Sequence, residues 1–136
     1  MHSIRLRGPW ELYLPGKAEP QRIEMPATWQ TLLALTSQAP LPSPARLLRR
    51  FGQPTGITPT DRLQLVIESS AAACQVELND QPLGSIAPSE QFRSFDVTAL
   101  VRPRNELQIM LQIPPRESIV ESACPILDVR LEIDGV

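Results

Sequence analysis

Apolar residues recur at every second position through much of this chain. Leu63, Leu65 and Ile67 alternate with Arg62, Gln64, Val66 and Glu68, and Cys74, Val76 and Leu78 alternate with Gln75, Glu77 and Asn79. Leu107, Ile109, Leu111 and Ile113 do the same against Glu106, Gln108, Met110 and Gln112, as do Val129, Leu131 and Ile133 against Arg130, Glu132 and Asp134. A period of two is that of a strand with one face buried. The pivotal stretch is 73–84. After its strand, Asn79-Asp80 supplies two residues that tolerate positive φ, and Leu83-Gly84 resumes in the reverse direction, which predicts a central strand and its tight hairpin.

The rest of the chain reads as shorter extended pieces between turn signals. Residues 4–14 predict one strand with a bend at Gly8-Pro9, ended by Pro15-Gly16. Residues 22–26 are extended, and 30–35 make a helical turn or two after Trp29. Pro40, Pro42 and Pro44 mark 36–46 as a stiff connection rather than a recognition motif. Strands follow at 46–51, 62–68, 73–79, 83–86 and 94–98. Thr98 is placed to cap a turn over 98–101. Arg102 to Asn105 form another turn before the strand at 107–113, Pro114-Pro115 stops that strand, and the last strand covers 129–133. About eight or nine strands with almost no helix predict an all-β sandwich or barrel, in a single domain over 1–136.

Composition narrows this picture. The chain has 136 residues and 15 prolines against 6 glycines, a balance that opposes long helices. Thirteen basic residues against fifteen acidic ones give a net charge of −2. No basic field of the kind nucleic acid requires is present. No apolar run is long enough to span a bilayer, and Met1 to Arg7 develop no apolar signal segment, so the expectation is a cytoplasmic protein. The two cysteines, Cys74 and Cys124, could pair by number. Cys74 lies on the apolar side of its strand, however, which favours a free buried thiol.

Seven segments, in order and in register, resemble the N-terminal sugar-binding domain of glycoside hydrolase family 2, the β-galactosidase and β-glucuronidase group. Gly8-Pro9-Trp10-Glu11-Leu12 is similar to its opening strand. Ile23-Glu24-Met25-Pro26-Ala27-Thr28-Trp29 is similar to its I-x-V-P-x-x-W segment, and Leu48-Arg49-Arg50-Phe51 to its Y-R-R-x-F strand. Val76 to Gly84 resembles the V-x-V-N-G-x-x-x-G hairpin. Phe95 to Leu100, Arg104 to Leu107 and Asp128 to Glu132 complete the set. Asp80 departs from the pattern, standing where glycine is usual, and positive φ costs more at Asp than at Gly. The resemblance implies a galactose-binding-like jelly-roll β-sandwich. In that family the domain is an accessory to a catalytic (β/α)₈ barrel, and a chain stopping at Val136 implies the accessory domain without the barrel.

No constellation spells out a reaction. Hydrolysis of a glycoside needs two carboxyl groups held across the bond, and no motif here forces two together. The single histidine, His2, sits at the terminus, which leaves no Ser-His or metal-binding set. No cofactor is expected; a structural Ca²⁺ is compatible with the implied fold, but spacing assigns it no oxygen ligands. The resemblance implies glycan binding through loops at one end of the sandwich, with Trp29, Arg50 and Glu121 as candidate ligand-binding residues. For each the alternative is structural: Trp10 and Trp29 as core, Arg50 as an ion-paired strand residue, Asn79, Asp96 and Asn105 as turn makers. The expected partner is a glycan or a glycosidase. The competing readings are a protein-interaction module built on a sheet face or edge, and a fragment of a larger glycosidase.

Overall fold

The computed structural model describes residues 2–15, 19–35, 44–69 and 72–135. Where one face of an alternating strand is apolar, two such sheets bury their faces against each other. That is what forms here. A four-stranded sheet runs in the order β1 (His2–Arg5), β10 (Ile126–Asp134), β5 (Arg62–Ser69), β8 (Phe92–Asp96). A six-stranded sheet runs β3 (Gln21–Ile23), β2 (Trp10–Tyr13), β4 (Ala45–Gly52), β9 (Arg104–Leu111), β6 (Cys74–Leu78), β7 (Gln81–Ile86). Every pairing is antiparallel. One short helix, α1 (Trp29–Ala34), and a 3₁₀ turn at Arg116–Ser118 complete the described elements. The all-β sandwich is the expected one, with ten strands among the described residues.

Several expectations need correction. Residues 4–14 are two strands in different sheets: β1 pairs with β10, β2 with β3 and β4. The alternation is equally regular in both, so it could not reveal that the chain changes sheets between them. Leu6 N–H still donates to Val129 O at 2.8 Å, and the fully buried Trp10 indole donates to Leu6 O at 2.8 Å, which pins this corner. β6 is not central; it lies one strand in from the edge, and the middle of its sheet is β4 and β9. Of the proline-rich connection, Pro40 and Pro42 lie outside the described residues, and β4 already begins at Ala45.

Between the sheets, Leu63, Leu65 and Ile67 of β5 and Val129 and Leu131 of β10 meet Leu47, Val76, Leu78, Leu107, Ile109 and Leu111, all at most 2% exposed. Side chains of this size contribute roughly 1.5–3 kcal/mol each on burial, before entropy is subtracted. The alternation is broken at Val66 and Leu48, which face outward yet are 0% and 5% exposed. Directly across from Val66 stand Arg130 and Ser94, and across from Leu48 stand Glu11 and Gln108. Long polar side chains roof an apolar residue on each outer face.

The β6–β7 hairpin closes as the sequence suggests. Asn79 and Asp80 have φ of 51° and 66°, the paired left-handed conformation of a two-residue I′ turn, so Asp in the glycine position does not prevent it. Gly84 has a different reason: its φ is 151°, and a Cβ there would lie 3.1 Å from the Phe95 ring of β8. That close approach brings the edge of one sheet against the edge of the other.

Cys74 is buried and Cys124 half-buried, and both are free thiols. Burial pushes the Cys74 thiol up from 9.0 to about 12. The folded state therefore holds this proton more tightly than the unfolded state, so stability falls as pH rises from about 9 toward 12. Urea titrations across that range should show a stability loss of up to about 1.4 kcal/mol per pH unit that the Cys74→Ala variant lacks. Parallel slopes in the two proteins would show that the thiol is accessible and ionises in the native state.

Candidate functional site

At one end of the sandwich β4 finishes, β6 turns into β7 and β9 begins. The backbones meeting there leave N–H and C=O groups without sheet partners, and two amide side chains take them. Asn79 Nδ2 donates to Leu100 O at 2.9 Å and to Asn105 Oδ1 at 3.0 Å, while Asn79 Oδ1 accepts from Glu106 N at 2.9 Å. Asn105 Nδ2 donates to Arg102 O at 2.8 Å and Phe51 O at 3.3 Å, and its Oδ1 accepts from Arg102 N at 2.8 Å. Asn105, read from sequence as a turn maker, is 2% exposed and ties the turn, β4 and the hairpin together. Every N–H of both amides is engaged, as a buried amide requires.

Outside this pair lies a cleft of about 630 Å³, with Arg50, Phe51, Asp80, Arg102, Arg104 and Glu106 among its walls. Arg50 and Arg49 diverge as alternation demands. Arg50 faces outward, pairing with Glu11 and, at 3.3 Å, with Glu106. Glu11 above all holds its guanidinium more firmly protonated than usual. Arg49 takes the opposite face, opposite Leu107, and its guanidinium donates to Arg50 O. The neighbouring turn at 97–101 is capped differently from expectation. Asp96 Oδ1 accepts from Thr98 N–H at 3.0 Å and Oγ1 at 2.6 Å, hydrogen bonds that lower the Asp96 pKa. Thr98 Oγ1 instead accepts from Leu63 N at 3.0 Å.

The three candidate ligand residues do not converge. Trp29 opens α1, is 4% exposed and offers no free ring face; its backbone N–H donates to Ala123 O at 2.9 Å. Glu121 is exposed on the loop that follows β9, and its carbonyl accepts from Gln30 N at 2.9 Å. These two are therefore neighbours through α1. Arg50 pairs with Glu106 near the start of β9, whereas the Glu121 loop leaves from its end. Arg50 alone lies in the cleft described above.

A second cluster was not anticipated. Arg130 on β10 donates from Nη1 to Glu68 and Asp128, both at 2.8 Å, and from Nε to Glu132 at 2.9 Å. The signal lay in Asp128, Arg130 and Glu132, whose spacing of two puts them on one strand face. These hydrogen bonds, that to Glu132 foremost, raise the Arg130 pKa. Beside the cluster a bulge between Ile126 and Asp128 leaves Leu127 45% exposed near Phe92 at 53%. Among the described residues no group of three His, Cys, Asp or Glu could hold a metal ion, and no helix is long and apolar enough to cross a membrane.

The fold defines a class: an antiparallel two-sheet sandwich of the kind that forms part of much longer glycosidase chains. It is similar to a β-glucuronidase from Bifidobacterium dentium (TM-score 0.77, 16% identity, 99% of this chain and 30% of that one). It is similar also to a β-glucuronidase from Bacteroides uniformis (TM-score 0.72, 15% identity, 98% and 18%) and to a β-D-mannosidase from Dictyoglomus thermophilum (0.69, 19%, 84% and 16%). The chain thus spans less than a third of the length of each. No family model and no curated protein matches it.

The cluster on β10 makes a direct prediction. Arg130→Gln leaves three carboxylates without their shared cation and Val66 without its roof, so it should cost about 2–3 kcal/mol in urea unfolding. Arg130→Lys, which keeps the charge but not the fork, should recover only part of that loss. A glutamine variant as stable as the parent would mean that the cluster is a solvated surface arrangement.

Proposed function

We propose that this chain is a non-catalytic, carbohydrate-binding-like accessory module that takes a glycan weakly through loops at an end of its sandwich. The observation that carries the reading is the fold likeness: nearly the whole chain superposes on a fraction of chains named as glycosidases. The part matched is a small all-β unit, and the chemistry of its side chains agrees with an accessory role. Glu68, Asp128 and Glu132, which converge, are each hydrogen-bonded to one guanidinium. Cleavage by paired carboxyls needs one of them protonated and free to donate.

Binding a sugar needs donors and acceptors for hydroxyl groups beside an apolar surface for the ring. The cleft at Arg50 supplies donors and acceptors from Arg50, Arg102, Arg104, Asp80 and Glu106, and Phe51, partly buried against the core, is the aromatic residue among its lining. Glu121 and the buried Trp29 sit on a different part of the module, so Arg50 is the member of the candidate set assigned to the glycan. The partner of the module in this reading is a glycan, presented alone or as the substrate of a glycosidase.

Titration calorimetry of the whole chain against a panel of neutral and acidic mono- and oligosaccharides tests this. A saturable heat with at least one sugar at millimolar concentration is expected, with an affinity typical of a small, open site. Absence of heat with every sugar on the panel would refute glycan binding and leave the fold without a carbohydrate role.

A further inference from the structure

We infer that a groove across one end of the four-stranded sheet docks an extended polypeptide segment, one that carries an acidic side chain about three residues from an apolar one. This goes beyond the glycan-binding reading and does not rest on it. The Asn79 end of the sandwich is where β5 begins, since Leu63 meets Thr98 and Leu100 meets Asn79. The groove lies where β5 finishes, at Glu68 and Ser69.

The groove exists because β1 is shorter than the strand it pairs with. β1 accompanies β10 from Ile133 to Arg130, and Leu6 N–H then meets Val129 O. The chain turns away there, its Arg7 carbonyl accepting from Met25 N at 3.0 Å. Residues 126–128 of β10 are left without a β1 partner, and a cleft of about 500 Å³ opens beside them, with Arg5, Arg7, Met25, Leu127 and Asp128 among its walls. A second cleft, of about 640 Å³, runs from Leu127 past Ser69 to Phe92. Leu127 and Glu68 line both, so the two make one groove across β10, β5 and β8.

Its chemistry is uneven along its length. Three large apolar side chains are exposed among the described residues, and two of them, Phe92 and Leu127, flank this groove. An apolar side chain lodged between them removes all three from water. At the other end Arg5 and Arg7 are exposed, and among the described residues their side chains have neither ion-pair nor hydrogen-bond partner. Arg50, Arg62, Arg93 and Arg130 are each engaged by carboxylates. Glu68 and Asp128, between the two ends, are already hydrogen-bonded to Arg130. The floor is ordered in advance: Ser69 donates from N to Gln91 O at 3.0 Å and from Oγ to Glu90 O at 3.2 Å, and the Glu90 carboxylate accepts from Ala87 N at 2.9 Å. An ordered surface loses little entropy when a ligand arrives.

Charge and spacing choose the occupant. Neighbouring strands lie about 4.8 Å apart, so the slot between Leu127 and Phe92, over β5, is about 10 Å from Arg5 on β1. That is about three residues of extended chain. A polypeptide carries an anion for the free guanidiniums and an apolar group for the slot at this separation on one backbone. A nucleic acid would bring its phosphates against Glu68 and Asp128, where like charges repel. A sugar in the slot would set hydroxyl groups against two apolar side chains.

The test is selection on the whole chain from a phage-displayed library of random dodecapeptides, followed by amide NMR titration with the enriched peptides made synthetically. Enriched sequences should place Asp or Glu about three residues from Leu, Ile, Phe or Met. The peptides should move the amides of Phe92, Leu127, Asp128 and residues 89–91. Leu127→Ser should weaken them about tenfold and Arg5→Gln/Arg7→Gln about threefold to fivefold, while Arg22→Gln, on β3, leaves affinity unchanged. Amides away from each substitution, at their parent positions, check that the variants fold. No enrichment, enriched peptides lacking an acidic residue, or binding unaltered by Leu127→Ser overturns the inference. The same amides shifted by maltotriose and by no peptide would give the groove to a sugar, and shifts with protein concentration alone would give it to a second copy; either result also overturns it. Glycan binding at the Arg50 cleft is read separately, by the calorimetry, and stands or falls on that.

Discussion

Two buried amides hold one end of this sandwich together. Asn79 and Asn105 hydrogen-bond each other at 3.0 Å and between them reach β4, β9, the β6–β7 hairpin and the 97–102 turn. Buried backbone groups that find no sheet partner cost about 1–3 kcal/mol each when left open. These side chains answer several at once. The constraint on position 79 is double. The turn needs positive φ, which Gly also satisfies, but only Asn adds two donors and an acceptor in the right places. Aspartate would lack the donors. The same pair forms the inner wall of the cleft and orients the Arg102–Arg104 turn beside it, so the local fold and the proposed site share one support.

The two outer faces repeat a second device. On each sheet an apolar residue faces outward, Val66 on β5 and Leu48 on β4, and charged side chains lie over it in ion-paired order. On the six-stranded sheet Arg46 adds a stacking contact 4.1 Å from the Tyr13 ring centre and a hydrogen bond to Gln108. Such pairs are each worth little when exposed, yet together they cover apolar surface and leave no large hydrophobic plane on these faces. Exposed apolar side chains remain at the margin near Phe92 and Leu127. This division agrees with a fold that recurs as a minor fraction of longer glycosidase chains.

Much of this was legible in the sequence, and the limits have physical causes. Period-two alternation located β5, β6, β9 and β10 because each buries one face, and Asn79-Asp80 announced its turn. Alternation says nothing about partners. The passage of the chain from β1 to β2 across the sheets, and the off-centre place of β6, are facts of non-local pairing. Asn105 looked like a turn residue because its neighbours Arg102 and Pro103 are one; its burial depends on Asn79, 26 residues away. Trp29, read as a candidate ligand residue with core as its alternative, is 4% exposed.

The central claim is that Asn79 and Asn105 act as one unit, and a double-mutant cycle measures that directly. Urea unfolding of Asn79→Ala, Asn105→Ala and the double variant should give single losses of about 2–3 kcal/mol each. The double loss should be smaller than their sum by at least about 1 kcal/mol, because the second substitution removes partners the first has already orphaned. Losses that add to within about 0.5 kcal/mol would contradict the account, showing two independent capping residues instead of a shared support.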